Sequence, residues 1–374
     1  MNRKRVVIAG LGDAGVLAAI RLSGYADVVG ISVKPALVSG QELGVRLSRP
    51  HDWARDYWIP FDRFRRLDRV RTVQAELNGV DLAARTVFGK RTDGSTLAEE
   101  YDALIISTGV SNGFWRRPTL QSAAEVGAEL RIAHDRLAAA GSIIVVGGGA
   151  AAVSSALNMA TTWPGKRIDL YFPGEGALEG HHPRIWRRLR GRLGGLGVGI
   201  HPGHRAVLPD GFAGDEITGE PVRWITGQPP ACADAVLWAI GRVRPNTGWL
   251  PPDLLDERGF VRVTPELRVP GHRSVFAVGD VAATDPLRSS ARNRGDALVA
   301  RNVRAELSGG RLGAYRAPAR RWGSLVGIQP DGLEVFLPTG HAFRFPSWSV
   351  ERVVMPWIVR WGMYRGVREN NPLA

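Results

Sequence analysis

The segment SIIVVGGGAAAVSSAL, residues 142–157, decides the fold of this chain. It begins with an apolar run typical of a buried strand and leads through three glycines into an alanine-rich run typical of a helix. The segment RVVIAGLGDAGVLAAIRL, residues 5–22, has the same order near the start of the chain. A strand, a G-x-G-x-x-G or G-x-G-x-x-A turn and a helix form the fingerprint of a dinucleotide-binding unit. The sequence therefore predicts two such units.

The first fingerprint consists of Gly10, Gly12 and Gly15. In such a turn the first glycine allows the tight bend, the second lets the backbone approach a pyrophosphate, and the third lets the helix pack closely on the strand. The helix N-terminus faces the anion with its N–H groups. We expect Asp13 and Ala14, at the start of the helix, to line the same site.

The second fingerprint consists of Gly147, Gly149 and Ala152, with alanine in the third position. Its strand and its helix stand in the same places as in the first unit. We expect this turn, together with Ala150 at the start of the helix, to hold the pyrophosphate of the second dinucleotide.

Both units lack the acidic residue that usually completes the fingerprint. That acid lies about 20 residues further on and holds the ribose hydroxyls. Here the strand of the first unit ends at Ser32, with Lys34 nearby, and the strand of the second ends at Phe172, with Glu175 three residues later. A neutral serine binds a hydroxyl less strongly than a carboxylate does. The sequence therefore predicts phosphate binding in both units and leaves the choice between NADH and NADPH open.

Composition restricts the class of protein. The 374 residues suffice for two or three domains, and 49 Lys and Arg against 36 Asp and Glu give a net charge of +13. This charge suits an anionic membrane face, an acidic partner protein or phosphate-bearing cofactors. No known nucleic-acid-binding module occurs, so we expect no nucleic-acid partner. No apolar run is long enough for a transmembrane helix, so we expect a cytoplasmic protein.

Cysteine and histidine exclude two further classes of site. Cys232 is the single cysteine, which rules out a disulfide framework and a redox pair within the chain. We expect it to be a small core residue at the mouth of a buried strand. The pairs His181–His182 and His201–His204 have no third ligand in a matching motif, so we predict loop residues and no metal site.

Three more segments follow in order: YDALIISTG at 101–109, ADAVLWAIGRVRPN at 233–246 and VFAVGDVA at 275–282. Together with the fingerprints they make the chain, over nearly its whole length, resemble the two-dinucleotide-binding-domain flavoproteins of the pyridine nucleotide-disulfide oxidoreductase superfamily. The loop KPALVSGQELGVRLSRP, residues 34–50, is similar to the flavin-side loop of the branch without a redox disulfide. That branch contains the type II NADH dehydrogenases and the apoptosis-inducing-factor-like quinone reductases.

The resemblance implies an α/β fold of two Rossmann-like dinucleotide-binding domains, of the three-layer ββα/α type, with a small α+β C-terminal region. We expect the FAD domain in two segments, residues 1–112 and 244–311, with the NAD(P)H-binding domain inserted at 113–243. The C-terminal region is expected at 312–374. Residues 34–66, which contain three prolines, are expected to be rich in loops.

The resemblance also assigns cofactor contacts. The first fingerprint would hold the pyrophosphate of FAD and the second that of NAD(P)H. The aspartate of VFAVGDVA would accept hydrogen bonds from the ribityl hydroxyls of FAD, a role in which its charge strengthens the bond. That aspartate is Asp280. The other residues implied to line these cofactors are Thr108, Gly109, Gly241, Pro245, Asn246 and Gly279.

The implied function is that of an FAD-dependent NAD(P)H oxidoreductase. Hydride transfer to the flavin is a positioning task that needs no side-chain nucleophile, and the electrons then pass to a non-disulfide acceptor, with a quinone favoured. Ser154 replaces a glutamate that lies near the nicotinamide in relatives, and Ser289 and Asn293 stand where glutamines line the quinone site. The alternatives are an acidic electron-carrier protein as acceptor, and a flavoprotein with a degenerate nicotinamide site in a binding or biosynthetic role.

The C-terminal segment predicts an amphipathic helix. At about 100° per residue its apolar residues fall on one side and arginines flank them. Tryptophan and arginine on such a helix are typical of a membrane interface, so peripheral contact with the inner face of a membrane is one interpretation. Packing on its own domain, or on a second copy of the chain in a homodimer, remains open. The predicted apolar side comprises Val350, Val353, Val354, Trp357, Ile358, Trp361 and Tyr364.

Overall fold

The computed structural model describes residues 3–38, 43–111, 117–212, 216–241, 243–284, 294–317, 320 and 322–368. In chain order the strands are β1 (Arg5–Ala9), β2 (Asp27–Ser32), β3 (Ala36–Val38), β4 (Trp58–Pro60), β5 (Val70–Asp81), β6 (Thr86–Arg91), β7 (Thr96–Glu100), β8 (Ala103–Ile106), β9 (Val110–Ser111), β10 (Ser142–Val146), β11 (Arg167–Tyr171), β12 (Gly199–His201), β13 (Ile217–Thr218), β14 (Ala235–Trp238), β15 (Arg244–Pro245), β16 (Val275–Ala277), β17 (Ile328–Gln329), β18 (Gly332–Phe336) and β19 (Ala342–Phe345).

The α-helices are α1 (Asp13–Leu22), α2 (Leu43–Ser48), α3 (Pro50–Tyr57), α4 (Ala123–Ala139), α5 (Ala150–Thr162), α6 (Pro183–Gly195), α7 (Gly295–Ser308) and the single turn α8 (Ser347–Ser349). Shorter 3₁₀ turns lie at Phe61–Arg63, Arg65–Arg69 and Pro252–Leu254. After α8 the chain continues directly into a wider, π-type helix, Val350–Met363, which is called the C-terminal helix below.

The first sheet has the strand order β16–β8–β1–β2–β5–β6–β7. The strands from β16 to β5 are parallel, and β5, β6 and β7 form an antiparallel meander. A parallel sheet must be covered on both faces. Helices α1 and α7 cover one face, and the meander with the segment around Trp249 and Val261 covers the other. This arrangement confirms the predicted three-layer α/β fold.

The second sheet has the strand order β12–β11–β10–β14–β13, parallel except for β13. Helices α4, α5 and α6 share one apolar core with one face of this sheet. The opposite face lies under a segment that includes Val222 and Trp224. The two glycine turns therefore open equivalent sheets, each at the carboxyl end of its central strand.

The expectation of a loop-rich region over residues 34–66 is wrong in part, because this segment contains α2 and α3. All six residues of α2 are buried, and the helix packs against α5 of the second unit. A side chain at Gly44 would clash with the carbonyl oxygen of Ser154, so glycine permits this close approach. Pro50 occupies the first turn of α3, where proline is tolerated. Tertiary packing, rather than a local sequence pattern, stabilises these short helices.

The residues after 312 contact both sheets' domains. The hairpin β17–β18–β19 packs on the helices of the second sheet, and the carboxylate of Glu334, 1% exposed, receives hydrogen bonds from Arg188 (2.6 Å) and Arg192 (3.1 Å) of α6. The chain then returns to the first unit, where Val367 forms a β-bridge with Phe64. One continuous segment thus links the two domains.

Candidate cofactor-binding site

One cavity of about 1380 Å³ joins the two glycine turns. Its walls come from the carboxyl ends of β1 and β2 on one side and of β10 and β11 on the other, which is where open parallel sheets bind ligands. The C-terminal helix forms a further part of the wall. The residues predicted at the site that line the cavity are Gly10, Gly12, Asp13, Ala14, Ser32, Lys34, Thr108, Gly109, Gly149, Ala150, Ser154, Gly241, Asn246, Gly279 and Asp280.

In the first turn, two glycines are required by the protein itself. Gly10 has φ +101°, and an added Cβ would lie 2.5 Å from the carbonyl oxygen of Ser107. A Cβ on Gly15 would clash with the backbone of Gly10, so Gly15 allows α1 to pack closely on the strand. Gly12 differs, since nothing lies within 4 Å of an added Cβ. The absence of a side chain at Gly12 leaves space on the cavity side, as close approach of a ligand to the backbone requires.

The second turn repeats this pattern. Gly147 has φ +143°, and its Cβ would clash with the carbonyl oxygen of Ala239, whereas a Cβ on Gly149 would meet nothing within 4 Å. Ala152 lies behind the turn, and a Cβ added to Gly147 would be 3.2 Å from the Cβ of Ala152. Gly12 and Gly149 are the N-caps of α1 and α5, and neither supplies a side-chain cap. The N–H groups at both helix starts are therefore suited to bind anionic oxygens.

The Gly279–Asp280 pair stands beside the first turn. Gly279 has φ +85°, and an added Cβ would lie 3.3 Å from the Cβ of Ala14. This close approach places Asp280 on the cavity wall next to the start of α1.

The two segments that connect the domains are hydrogen-bonded to each other. The Thr108 hydroxyl donates to the Asn246 carbonyl at 2.8 Å, and the Asn246 side-chain amide donates to the Thr108 carbonyl at 2.9 Å. The β9–β15 pair extends this contact. Gly109 and Gly241 both have positive φ, +68° and +71°, and no protein atom lies within 4 Å of an added Cβ. The predicted exit segments thus meet each other at the cavity wall.

Ser32 and Lys34 lie on the cavity wall, but Lys34 is also held by the chain. Its ammonium group donates to the carbonyl oxygens of Arg117 (3.2 Å) and Thr119 (2.8 Å). Burial lowers the pKa of the Lys34 ammonium group to about 8, because a charged group is costly to remove from water. The Ser32 hydroxyl accepts a hydrogen bond from the backbone N–H of Lys34 at 3.2 Å.

Ser154 lies in a buried polar cluster that the sequence did not reveal. The side-chain amide of Asn158, one turn later on α5, donates to the Ser154 hydroxyl at 3.3 Å. The amide oxygen of Asn158 in turn accepts hydrogen bonds from Arg49 and Gln329, each at 2.9 Å. Asn158 is fully buried, so these bonds fix its orientation and that of Ser154. An asparagine at four-residue spacing from Ser154 was the only available signal in the sequence.

Arg46 of α2 is a second residue that sequence reasoning missed. It is 2% exposed, lines the cavity, and its guanidinium lies 5.5 Å from the ring centre of Trp53. A buried arginine retains its charge, so it supplies a positive potential to the cavity wall.

Tyr364, the residue directly after the C-terminal helix, contacts the first turn. The Tyr364 hydroxyl lies 3.5 Å from a carboxylate oxygen of Asp13. Burial, and then the Asp13 carboxylate, raises the pKa of Tyr364 well above its usual value, so the hydroxyl stays protonated and donates. The ring of Tyr364 meets that of Phe64 edge to face, with 5.2 Å between centres.

The predicted apolar side of this helix is wrong in part. Val350, Val354 and Tyr364 are buried, whereas other members of the predicted side are exposed. The wider π-type turn changes the angular step per residue, so positions that align at 100° separate. The exposed apolar residues form what we call the tryptophan face: Trp348, Val353, Trp357, Ile358, Trp361 and Met363.

Other predicted residues lie outside the cavity or outside the described chain. Cys232 is exposed, so its expected place in the core is wrong; β14 begins three residues later, and Cys232 lies in the loop before it. The Nε2–H of His201 donates to the Asp169 carboxylate at 2.8 Å, and the His201 ring stacks on Tyr171. The predicted acceptor-side residues Ser289 and Asn293 lie outside the described residues.

Among the residues that the structure describes, no group of three or more His, Cys, Asp or Glu side chains is placed to hold a metal ion. Across the same residues, no helix is both long and apolar enough to cross a membrane.

Comparisons with known proteins agree on one family. The sequence model of the pyridine nucleotide-disulphide oxidoreductase family matches residues 4–302 of this chain. The oxidoreductase ptaL of Pestalotiopsis fici is 28% identical over 296 residues, which cover 76% of this chain and 75% of that protein. The type II NADH:quinone oxidoreductase Ndh of Mycobacterium tuberculosis is 42% identical over 57 residues, 15% of this chain and 12% of that protein.

A solved structure shows the same fold. The ferredoxin reductase for the CYP199A2 system from Rhodopseudomonas palustris superposes with a TM-score of 0.64 at 20% identity, covering 85% of this chain and 79% of that chain. At this identity the likeness concerns the fold alone.

Proposed function

The chain belongs to the pyridine nucleotide-disulphide oxidoreductase family and is a flavin-dependent oxidoreductase, and we propose that it carries electrons from NAD(P)H through FAD to a quinone. The observation that carries this proposal is the single cavity that joins the two open glycine turns. Two dinucleotides held at these turns can bring their redox rings together within one cavity. Such positioning is what hydride transfer requires.

The residues of the first turn fit FAD. Gly12 leaves room for a pyrophosphate at the start of α1, and Asp280 offers a carboxylate on the adjoining wall. Bound FAD would supply the redox chemistry, accepting a hydride and releasing its electrons to a second substrate. Tyr364 donates to Asp13 and so keeps that carboxylate engaged at the start of α1, where the cofactor's anion would bind.

The residues of the second turn fit a nicotinamide dinucleotide. Gly149 leaves the same space at the start of α5, and Ser154 lies one turn further along, facing the same cavity. Because Asn158 donates to the Ser154 hydroxyl oxygen, the Ser154 proton is directed elsewhere and suits a carboxamide or carbonyl acceptor. Ser154 would thereby orient the nicotinamide without a charge.

The proposal of a quinone rests on the C-terminal helix. One side of it, including Val354 and Val359, lines the cavity, and its other side carries the tryptophan face, where Trp357 is 66% and Trp361 is 54% exposed. Met363 belongs to both the cavity wall and this exposed face. A lipophilic acceptor could therefore enter from a membrane surface that these tryptophans contact, with nearby arginines attracted to anionic lipid.

The alternative acceptor is an acidic electron-carrier protein. The net charge of +13 favours it, since opposite charge accelerates the encounter of two proteins. The two acceptors differ in salt dependence, because a small neutral quinone has no charge to screen.

Flavin reduction and reoxidation test the proposal in two steps. The anaerobic holo-protein is mixed with NADH or NADPH, and the loss of oxidised-flavin absorbance is followed. The reduced protein is then mixed with a soluble short-chain quinone or with oxidised ferredoxin, at low and high salt. We expect rapid reduction, followed by quinone-driven reoxidation that salt hardly changes. No reduction by either nucleotide, or reoxidation only by ferredoxin and only at low salt, contradicts the proposal.

Vesicle binding tests the tryptophan face separately. Trp357→Ser and Trp361→Ser are compared with wild type for co-sedimentation with vesicles that contain anionic phospholipid. Ile132→Ser on α4 is the matched control, since Ile132 is equally exposed but lies outside the tryptophan face. We expect the two tryptophan variants to lose binding and the control to retain it. Equal binding by all four proteins would remove the membrane from the proposal.

A further inference from the structure

The loop between β11 and α6, residues 172–182, folds back onto the second glycine turn. The backbone N–H of Leu178 donates to the carbonyl oxygen of Gly148 at 2.7 Å. At the start of the loop, Phe172 packs so close to the turn that a Cβ added to Gly148 would lie 3.2 Å from the Cβ of Phe172. The loop is therefore fixed against the turn at two points and forms part of the cavity wall.

Phe172 cannot supply the polar contact expected at the end of β11. It is 1% exposed and packs edge to face on Trp186 of α6, with 5.4 Å between ring centres. A strand-end acid is thus replaced by a core residue, and any polar group at this place must come from elsewhere in the loop.

The carboxylate of Glu179 lies close to that place, beside Gly174. Its carboxylate oxygen Oε1 would be 2.8 Å from a Cβ on Gly174, two residues beyond Phe172. Glu179 lines the cavity, whereas Glu175 of the same loop does not. The carboxylate therefore reaches back across the loop to the neighbourhood of the strand end.

The backbone before Glu179 is held in an unusual conformation. Leu178 has φ +63°, a left-handed value that costs an ordinary residue free energy, and its side chain is buried. The bond from its N–H to Gly148 and its burial maintain this conformation. A strained residue next to a binding turn is typical of a site that must aim a neighbouring group.

We infer that Glu179 holds the adenosine ribose of the visiting nucleotide and makes the protein select NADH over NADPH. A carboxylate accepts hydrogen bonds from the 2′- and 3′-hydroxyls with charge assistance, and it repels a 2′-phosphate. Among the described residues, the arginines that line the cavity are Arg46, Arg117 and Arg258, and none belongs to this loop. The inference rests on the proposed use of the second turn by a nicotinamide dinucleotide.

Binding of two nucleotide fragments tests the inference without requiring hydride transfer. The holo-protein is titrated calorimetrically with ADP-ribose and with 2′-phospho-ADP-ribose, for wild type, Glu179→Gln and Glu175→Gln. We expect wild type to bind ADP-ribose at least about tenfold more tightly than its 2′-phosphate. Glu179→Gln should weaken ADP-ribose binding and abolish most of this preference, while Glu175→Gln should match wild type.

Flavin reduction supplies the readout that a merely structural role would not change. In Glu179→Gln the concentration of NADH giving half-maximal reduction should rise, while the limiting rate, the flavin content and the unfolding midpoint stay near those of wild type. A fragment preference that survives in Glu179→Gln, or that Glu175→Gln removes equally, overturns the inference.

The inference and the proposed function fail in different ways. Reduction of the flavin by NADH and NADPH with equal efficiency overturns the role of Glu179 and leaves the oxidoreductase proposal standing. Fragment binding that depends on Glu179 without any flavin reduction supports the role and overturns the proposed electron transfer. Failure of wild type to bind either fragment overturns both.

Discussion

Replacing Gly149 by alanine separates an effect on ligand binding from an effect on folding, because the protein leaves room for the new methyl group. An added Cβ at Gly149 meets nothing within 4 Å. Its φ of −85° and ψ of 177° lie in the extended region that any residue adopts. Gly149 is the N-cap of α5, and alanine is a poorer N-cap, so we expect a loss of at most about 1 kcal/mol in the free energy of unfolding.

The same methyl group would stand between the start of α5 and a bound pyrophosphate. Gly149 supplies no side-chain cap, so ligand oxygens are the expected partners of the first N–H groups of the helix. A hydrogen bond to a charged group contributes about 1.5–3 kcal/mol. Loss of one such bond raises the Kd of the nucleotide roughly 10- to 150-fold.

Calorimetric titration of the holo-protein with NAD⁺ measures this Kd, and urea unfolding measures stability. Gly12→Ala makes the same change at the first turn and should weaken FAD retention while the fold persists. Gly127→Ala, at an equally open position within α4, should raise stability by about 0.5–1 kcal/mol and leave both cofactors bound as before. An unchanged Kd in Gly149→Ala would refute the reasoning, since the pyrophosphate would then lie elsewhere.

Three further predictions concern the supports of the site. Glu334→Ala removes a buried carboxylate from two partly exposed arginines of α6 and should lower the free energy of unfolding by about 1.5–3 kcal/mol in urea titrations, whereas Asp331→Ala, at an exposed neighbour, should change it by less than about 1 kcal/mol. The pKa of Lys34 is lowered to about 8 in the folded protein, so the unfolded chain binds more protons than the folded one between pH 8 and 10.5. The free energy of unfolding should therefore rise with pH in that window. Lys34→Met should lack this rise in unfolding titrations at about pH 7.5, 9 and 10. Arg368→Ala removes the bidentate ion pair with Asp68 and loosens the chain just after Tyr364, which lines the cavity, so it should speed FAD release, followed by flavin fluorescence. Because the Arg368 hydrogen bond lowers the pKa of Asp68, wild type should approach the variant only as the pH falls through that lowered value.

Much of the fold could be predicted because its signals are local. The apolar strands, the glycine turns and the helices that follow them lie within short windows, and β1, β10, α1 and α5 stand where the pattern indicates. The helices α2 and α3 could not be predicted, since burial against α5 rather than a local pattern stabilises them. The C-terminal helix was placed correctly along the chain, but its exposed side depends on hydrogen bonding that the residue pattern does not encode.

The candidate site, like the fold, could be predicted from the sequence only where its signals are local. The glycines of the two turns were identifiable because tight backbone geometry and close approach of a ligand require them at fixed spacing. The partners of Ser154 were not, since Arg49 and Gln329 reach Asn158 from positions 109 and 171 residues away in the chain. Glu179 was missed for a related reason. Sequence reasoning looks for the ribose acid at the strand end, whereas the backbone conformation of Leu178 brings the carboxylate back from further along the loop.

The C-terminal segment contacts both domains that carry the glycine turns. The crossing strands β9 and β15 pair over only two residues each and would by themselves permit a hinge between the domains. Glu334 anchors the hairpin to α6 of the second domain, and the bridge of Val367 to Phe64 anchors the end of the chain to the first. A tether fixed on both domains restrains their rotation about the crossing strands. The relative placement of the two glycine turns is therefore restrained in part by a segment outside both fingerprints.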